Sequence, residues 1–343
     1  MGTLGGSRAK VNRGAALRWW WSAAVGLVVA PARVCEIRGV AGLSRRQWVR
    51  GSAAGVVLAG CRGPGETRAP AVPVLTEARL FAAPGGARVG EAEVVRAMAA
   101  SDVVLIGEQH GHPLGLALAA SLFEQLLASA EGATAALALE FLGRELQAGL
   151  DAYLRGEVDE AGFRAAAELA KESSYPAGHR RMVAAAKAKQ RPVIAANATR
   201  ALVKRARLEG LAGLRALPAE QRENVEVPEA LTEGKYREDF MGLMGGHSEV
   251  DAATLEGFYR AQNVWDATMA ASVVRVLGTA RPVVLVVGSF HVDDAGGLYQ
   301  RVRAAAPEAK VWRLSVVSEA PEALRAEDSG RADVVAYVGA AGI

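Results

Sequence analysis

Short, unbroken apolar runs recur through the second two-thirds of the chain. Residues 103–106, 135–139, 192–196, 282–287 and 311–317 each have strand length and carry apolar side chains almost throughout. Between them the period changes. Residues 114–129, 143–154, 159–170 and 178–189 are rich in Ala and Leu at three- and four-residue spacing, which predicts helices. The longest helical pattern runs from Asp251 to Leu277, with Asp251 placed to cap its start. Strands apolar on both faces that alternate with helices imply a mostly parallel sheet covered by helices on both sides, an α/β fold. Residues 210–248 break the alternation with polar residues, glycines and prolines. They read as helical pieces of a lid or insertion occupying about 205–250. The main domain spans 76–320, and residues 321–343 form a C-terminal extension in which "ADVVAYVGA" at 332–340 has the pattern of one more strand.

Composition adds limits. With 343 residues, 51% hydrophobic and 22% charged, the chain is of ordinary globular type. The net charge of +3 conceals a basic leader: in the first fifty residues Glu36 is the single acid among Arg8, Lys10, Arg13, Arg18, Arg33, Arg38, Arg45, Arg46 and Arg50. No basic face in the rest argues for a nucleic-acid partner. The two cysteines, Cys35 and Cys61, both precede the main domain, which excludes a disulfide framework or a cysteine metal site there.

The leader reads as an address. In "SRRQWVRGSAAGVVLAGC", residues 44–61, the pair Arg45-Arg46 resembles a twin-arginine export signal. A short apolar stretch follows, too short to span a bilayer as a helix, and Leu58-Ala59-Gly60-Cys61 matches a lipobox. A second apolar stretch at 16–30 leaves two positions for the translation start, Met1 or near 39–43. Residues 1–60 are thus an export signal, Cys61 the lipidation site and 61–75 a Pro/Gly-rich tether. The expected location is the cell envelope, lipid-anchored to a membrane through Cys61. Arg62 after the cysteine favours the outer membrane, facing the periplasm or the surface.

Candidate chemistry gathers at strand ends, where parallel α/β sheets bind ligands. The first strand leads into Gly107-Glu108-Gln109-His110, the second into Glu140, the third into Asn197, Thr199 and Arg200, and the fourth into Gly288-Ser289-Phe290-His291. Two of the four share the form Gly-x-x-His. On the long helix, Tyr259, Gln262 and Asp266 are spaced to share one face, and His247 lies in the loop before it, able to close over the site. Glu108, His110, Glu140 and His291 are therefore the catalytic candidates. Glu108, His110 and His291 are also the candidate ligands of a divalent metal, Zn or Mn by donor type.

The segments "DVVLIGEQHGHP", "ALEFLGRELQAGLDAYLRGEVDE", "RPVIAANATR", "FYRAQNVWDATMA" and "VVLVVGSFHV" resemble, in order and over about residues 76–318, the ChaN-like haem-binding lipoproteins of the Tiki superfamily. The resemblance implies an α/β fold with these residues converging on one pocket, a role in iron acquisition, and haem held between two subunits of a homodimer by a tyrosine ligand. Tyr175 and Tyr259 are the candidates for that ligand, ahead of Tyr153, Tyr236 and Tyr299. The wider superfamily implies an alternative: a hydrolase or protease of small-molecule or peptide substrates, working through a bound metal or through a Glu/His pair. Capture of haem or an iron-related ligand is the first expectation and hydrolysis the second.

Overall fold

The apolar runs pair into one sheet because each strand offers both faces for burial. The computed structural model describes residues 78–169, 171, 174–245 and 250–341. β3 (Val103–Glu108) is buried at every position. Val104 and Ile106 enter one core, and Val103 and Leu105 enter the other on the opposite face, as the two-residue side-chain period requires. The remaining parallel strands are β4 (Ala136–Gly143), β5 (Val193–Asn197), β6 (Val283–Gly288), β7 (Val311–Val317) and β8 (Val334–Tyr337). An antiparallel pair, β1 (Arg79–Ala82) and β2 (Arg88–Val89), closes one edge through β8. The order is β2-β1-β8-β7-β3-β6-β4-β5. The extension expected after 321 thus supplies an interior strand.

Ten helices cover the sheet among the described residues: α1 (Glu91–Ala99), α2 (Pro113–Ala128), α3 (Gln147–Arg155), α4 (Glu160–Ala166), α5 (Ala177–Ala188), α6 (Arg200–Arg215), α7 (Ala219–Arg222), α8 (Lys235–Gly245), α9 (Ala252–Val276) and α10 (Gly297–Ala305). One core packs Leu122, Phe123, Met182 and Val183 from α2 and α5 onto Val104 and Ile106. The other packs Met269, Val273, Leu298 and Val302 from α9 and α10 onto Leu105 and Leu285. Asp251 caps α9 as expected, accepting from the Thr254 N–H at 2.8 Å.

The helix expected over 159–170 ends at Ala166, and two boundaries near the site also differ from the expectation. The second strand does not stop at 139: it continues to Gly143 through a register shift after Leu139, so Glu140 lies within β4. A short 3-10 turn, Arg144–Leu146, then precedes α3, where a helix from 143 is predicted. Within the expected insertion, α6 kinks at Gly210, whose φ of 81° and ψ of 177° are non-helical and are open to glycine.

The topology sets the site. β6 enters the sheet between β3 and β4, with Glu108 in register with Gly288 and Leu139 with Val286. The two Gly-x-x-His tips therefore lie side by side, with Glu140 on the far side of the second.

Candidate functional site

His291 is the most completely held imidazole of the site. It sits in the 3-10 turn Ser289–His291 directly after β6 and is 3% exposed. Its Nδ1 lies 2.6 Å from Asp266 Oδ1, which makes it the donor to that carboxylate. Its Nε2 points to Glu140 Oε1 at 3.5 Å. Burial alone would push His291 down, but the Asp266 and Glu140 carboxylates overcome it and raise the imidazole to about 10. Burial likewise opposes ionisation of Glu140, yet His110, His291 and the Gly288 N–H, which donates to Oε2 at 2.7 Å, hold it below the usual carboxylate range. The two groups thus face one another as imidazolium and carboxylate.

Asp266 is fixed from its other side. The Tyr236 hydroxyl, from α8, donates to Oδ2 at 2.8 Å and accepts from Gln262 Nε2 at 2.9 Å. Burial and the adjacent Asp266 raise the phenol well above its ordinary value, so it remains a donor. Gly297 lies so close to Asp266 Oδ2 and the Tyr236 ring that a Cβ would collide with both. Only glycine lets α10 start there.

A second imidazole–carboxylate pair stands beside the first. His110 Nδ1 is 3.1 Å from Glu108 Oε1. Burial opposes both charges, but the nearby His179 and His110 imidazoles take Glu108 down to about 2, while Glu140 and Glu108 raise His110. The His110 ring lies over Gly288, where an added Cβ would approach Nε2 to 2.6 Å. The glycine of the second motif thereby makes room for the histidine of the first. Behind Glu108 sits His179 of α5, with Nε2 at 3.5 Å from Oε2.

His110, Glu140 and His291 open into a cleft of about 330 Å³, within the usual range of small-ligand sites. Phe141, Leu146, Leu169, Ala198 and Trp265 give it apolar walls, and Arg200, at the start of α6, stands at its mouth.

The other expected site residues distribute as follows. Asp266 and Gln262 reach the site as buried supports of His291. Tyr259 does not: its hydroxyl donates to the Thr232 carbonyl and its ring packs on Phe240, away from the cleft. Tyr175 is 1% exposed and packs against Phe141 and Phe163, behind the wall rather than in it. The metal trio also separates. Glu108 and His110 pair with each other, while His291 turns Nδ1 to Asp266 and Nε2 toward Glu140, with the Gln262 amide nitrogen 3.2 and 3.4 Å from the two ring nitrogens. Among the described residues no group of three or more His, Cys, Asp or Glu side chains is placed to hold a metal ion. His247 and Cys61 lie outside the described residues.

Two contributors escaped the sequence reading. Tyr236 has no sequence signal beyond being one of the tyrosines able to ligate haem. His179 lies on the stripe His179, Met182, Val183, Ala186 that α5 buries. That helical spacing was visible and could have marked it as a core histidine.

The profile of the family described as "Haem-binding uptake, Tiki superfamily, ChaN" matches residues 94–302. Among solved structures, ChaN of Campylobacter jejuni, described with cofacially bound haem, has 15% identity and a TM-score of 0.59, covering 76% of this chain and 97% of its own. The type III effector HopBA1 has 14% identity and a TM-score of 0.41, with 76% and 96% covered. No functionally curated protein matches. The family match spans well over half of the chain, both Gly-x-x-His tips included: this protein belongs to the ChaN family of haem-binding uptake proteins in the Tiki superfamily.

Proposed function

We propose that the cleft is an acid–base site that hydrolyses a small ester or amide, with Glu140 as general base and His291 as general acid. The observation that carries this reading is the line Asp266–His291–Glu140, buried at its inner end and open to the cleft at the other. Neighbouring titratable groups whose environments push them to opposite charge states are an assignment of acid and base.

The chemistry closes on these residues. Glu140 takes a proton from water as the water oxygen bonds to the substrate carbonyl carbon. His291 Nε2–H gives its proton to the leaving oxygen or nitrogen as that bond breaks. The proton on Glu140 then passes to His291, which restores both. His110, held by Glu108 and raised above its ordinary value by the Glu140 and Glu108 carboxylates, is placed to donate to the developing oxyanion. The Glu/His form fits better than a metal form because each imidazole is engaged by its own carboxylate. The test is a panel of chromogenic esters and fluorogenic peptides with the full chain. Saturable turnover that persists in chelator supports the reading; no turnover of any member by the folded protein sinks it.

Family membership favours a second reading: capture of haem or another iron-related ligand during iron uptake. Phe141 and Trp265 supply flat apolar walls and Arg200 a cation for an acidic substituent. An axial ligand is the difficulty. Of the six tyrosines, Tyr153, Tyr175, Tyr236, Tyr259 and Tyr337 are at most 7% exposed. Tyr299 carries Arg313 over its ring, and none of the six lines the cleft. The residues present do not fit tyrosine ligation of haem iron in this cleft. Haem titration is therefore expected to give the same absorption spectrum for wild type, Tyr175→Phe and Tyr259→Phe. A Soret band lost in either variant would reinstate that tyrosine as ligand.

We also propose that the protein is an envelope lipoprotein anchored through Cys61, with the outer membrane favoured, working as a homodimer around its ligand. The lipobox and the paired arginines support it. Cys61→Ser is expected to move the protein from the membrane to the soluble fraction and to abolish incorporation of labelled fatty acid. Unchanged labelling would refute the anchor.

A further inference from the structure

Glu108 has two carboxylate oxygens and only one is accounted for. Oε1 meets His110 at 3.1 Å, whereas Oε2 is buried with no hydrogen bond. Buried carboxylate oxygens are ordinarily satisfied, and an exception asks for a reason. The nearby polar side chain in the same condition is His179: both of its ring nitrogens are buried without a hydrogen bond, and its Nε2 is 3.5 Å from that oxygen. Two unsatisfied groups facing one another at the outer limit of a hydrogen bond are a matched pair, which a small rotation of the carboxylate closes.

The surroundings hold His179 in place to serve this purpose. Its ring stacks on Phe141, 4.9 Å between centroids and 8° between planes, and Phe141 is a wall of the cleft. The preceding residue, Gly178, lies against Leu116 of α2 so closely that a Cβ would come within 2.6 Å of the leucine Cβ. This packing presses the start of α5 onto α2 and delivers the imidazole beneath the tip of β3.

We infer that His179 is a positioning residue of the site: it binds the inner oxygen of Glu108 and thereby fixes the outer oxygen on His110. Glu108 becomes a bridge between a buried imidazole and one that faces the ligand. On the opposite side of the cleft, Asp266 is held by Tyr236 and in turn holds His291, so both cleft imidazoles are oriented by a carboxylate that is itself oriented. Outer partners of this kind set imidazole tautomer and direction. The role in turnover rests on the acid–base reading; the role in orienting His110 does not.

The full chain with 15N-labelled histidine tests this, the His110 signals being identified by their loss in His110→Asn. His179→Phe keeps a flat ring against Phe141 and removes the donor. His179→Gln keeps a donor near the position of Nε2. We expect His179→Phe to fold, to shift the His110 nitrogen signals away from their carboxylate-bound values, and to lose turnover roughly 10–100-fold. His179→Gln is expected to recover both. His110 signals unchanged in His179→Phe would overturn the inference. If His179→Phe melts early, the wild-type His179 ring decides: an Nε2 signal at its carboxylate-bound value supports the inference and an Nε2 signal without a hydrogen bond overturns it. Wild-type protein without turnover would defeat the hydrolytic reading and leave the spectroscopic result standing by itself.

Discussion

Glu140→Gln and His291→Asn are each expected to reduce hydrolysis by roughly 10²–10⁴-fold while leaving the fold intact, because each removes one half of a proton-transfer pair. Glutamine keeps the shape of Glu140 and can still accept from the Gly288 N–H, so the loss would report basicity rather than packing. Asparagine at 291 can still donate to Asp266, whose Oδ1 takes the His291 Nδ1 at 2.6 Å, but it has no group that can act as an acid toward the cleft. The pH dependence follows from the same residues. Glu140 must be ionised, and it is held below its ordinary value of 4.5; His291 must be protonated, and it remains so up to about 10. Turnover should therefore fall in acid as Glu140 takes up a proton, and fall in base as the two cleft imidazoles lose theirs, His291 only near pH 10. A rate that rises through pH 6–7 would indicate a neutral histidine acting as base and contradict this assignment. The double variant should be no worse than the poorer single one, since the two residues act as a unit.

The largest effect on stability is expected for Asp266→Ala. Removing one partner of a fully buried ion pair costs on the order of 3–5 kcal/mol, because the other charge is left without compensation. The pH signature is specific. In wild type the folded His291 sits at about 10 against an ordinary 6.5. Its contribution is fully present below pH 6.5 and is lost as pH rises through 10, a change on the order of 5 kcal/mol. Glu108 has the opposite sign: at about 2 against 4.5, it contributes above pH 4.5 and is lost as pH falls through 2. Urea denaturation should accordingly show a wild-type decline between pH 6.5 and 10 that is much smaller in Asp266→Ala. Parallel declines in the two proteins would mean that Asp266 does not hold the charge on His291.

How much of this was legible beforehand can be traced residue by residue. The strand tips were readable because an unbroken apolar run that ends in glycine and then polar groups places those groups at a sheet edge. Both Gly-x-x-His motifs are found there. Their adjacency was not readable: it depends on β6 entering between β3 and β4, and strand order is a property of crossover connections rather than of local pattern. Asp266 and Gln262 were legible from helical spacing, but the same spacing included Tyr259. That residue lies at the edge of the stripe, and its hydroxyl found the Thr232 carbonyl instead. The apolar run at 135–139 puts Glu140 just after a strand. The register shift in β4 keeps it within the strand, and nothing in "LALEFLG" announces such a shift. His179 was missed because one histidine in an Ala-rich helix gives no local sign of the carboxylate it will meet; Glu108 lies 71 residues earlier in the chain and is brought to it by the packing of α5 on α2.

The central claim is that His291 is an imidazolium facing an ionised Glu140, and the most direct measurement is a 15N NMR titration of the His291 ring between pH 5 and 10. Both nitrogens protonated throughout, with the change beginning only near pH 10, is the result expected from the Asp266 and Glu140 contacts. A neutral His291 at pH 7 would contradict the account, and with it the assignment of acid and base in the cleft.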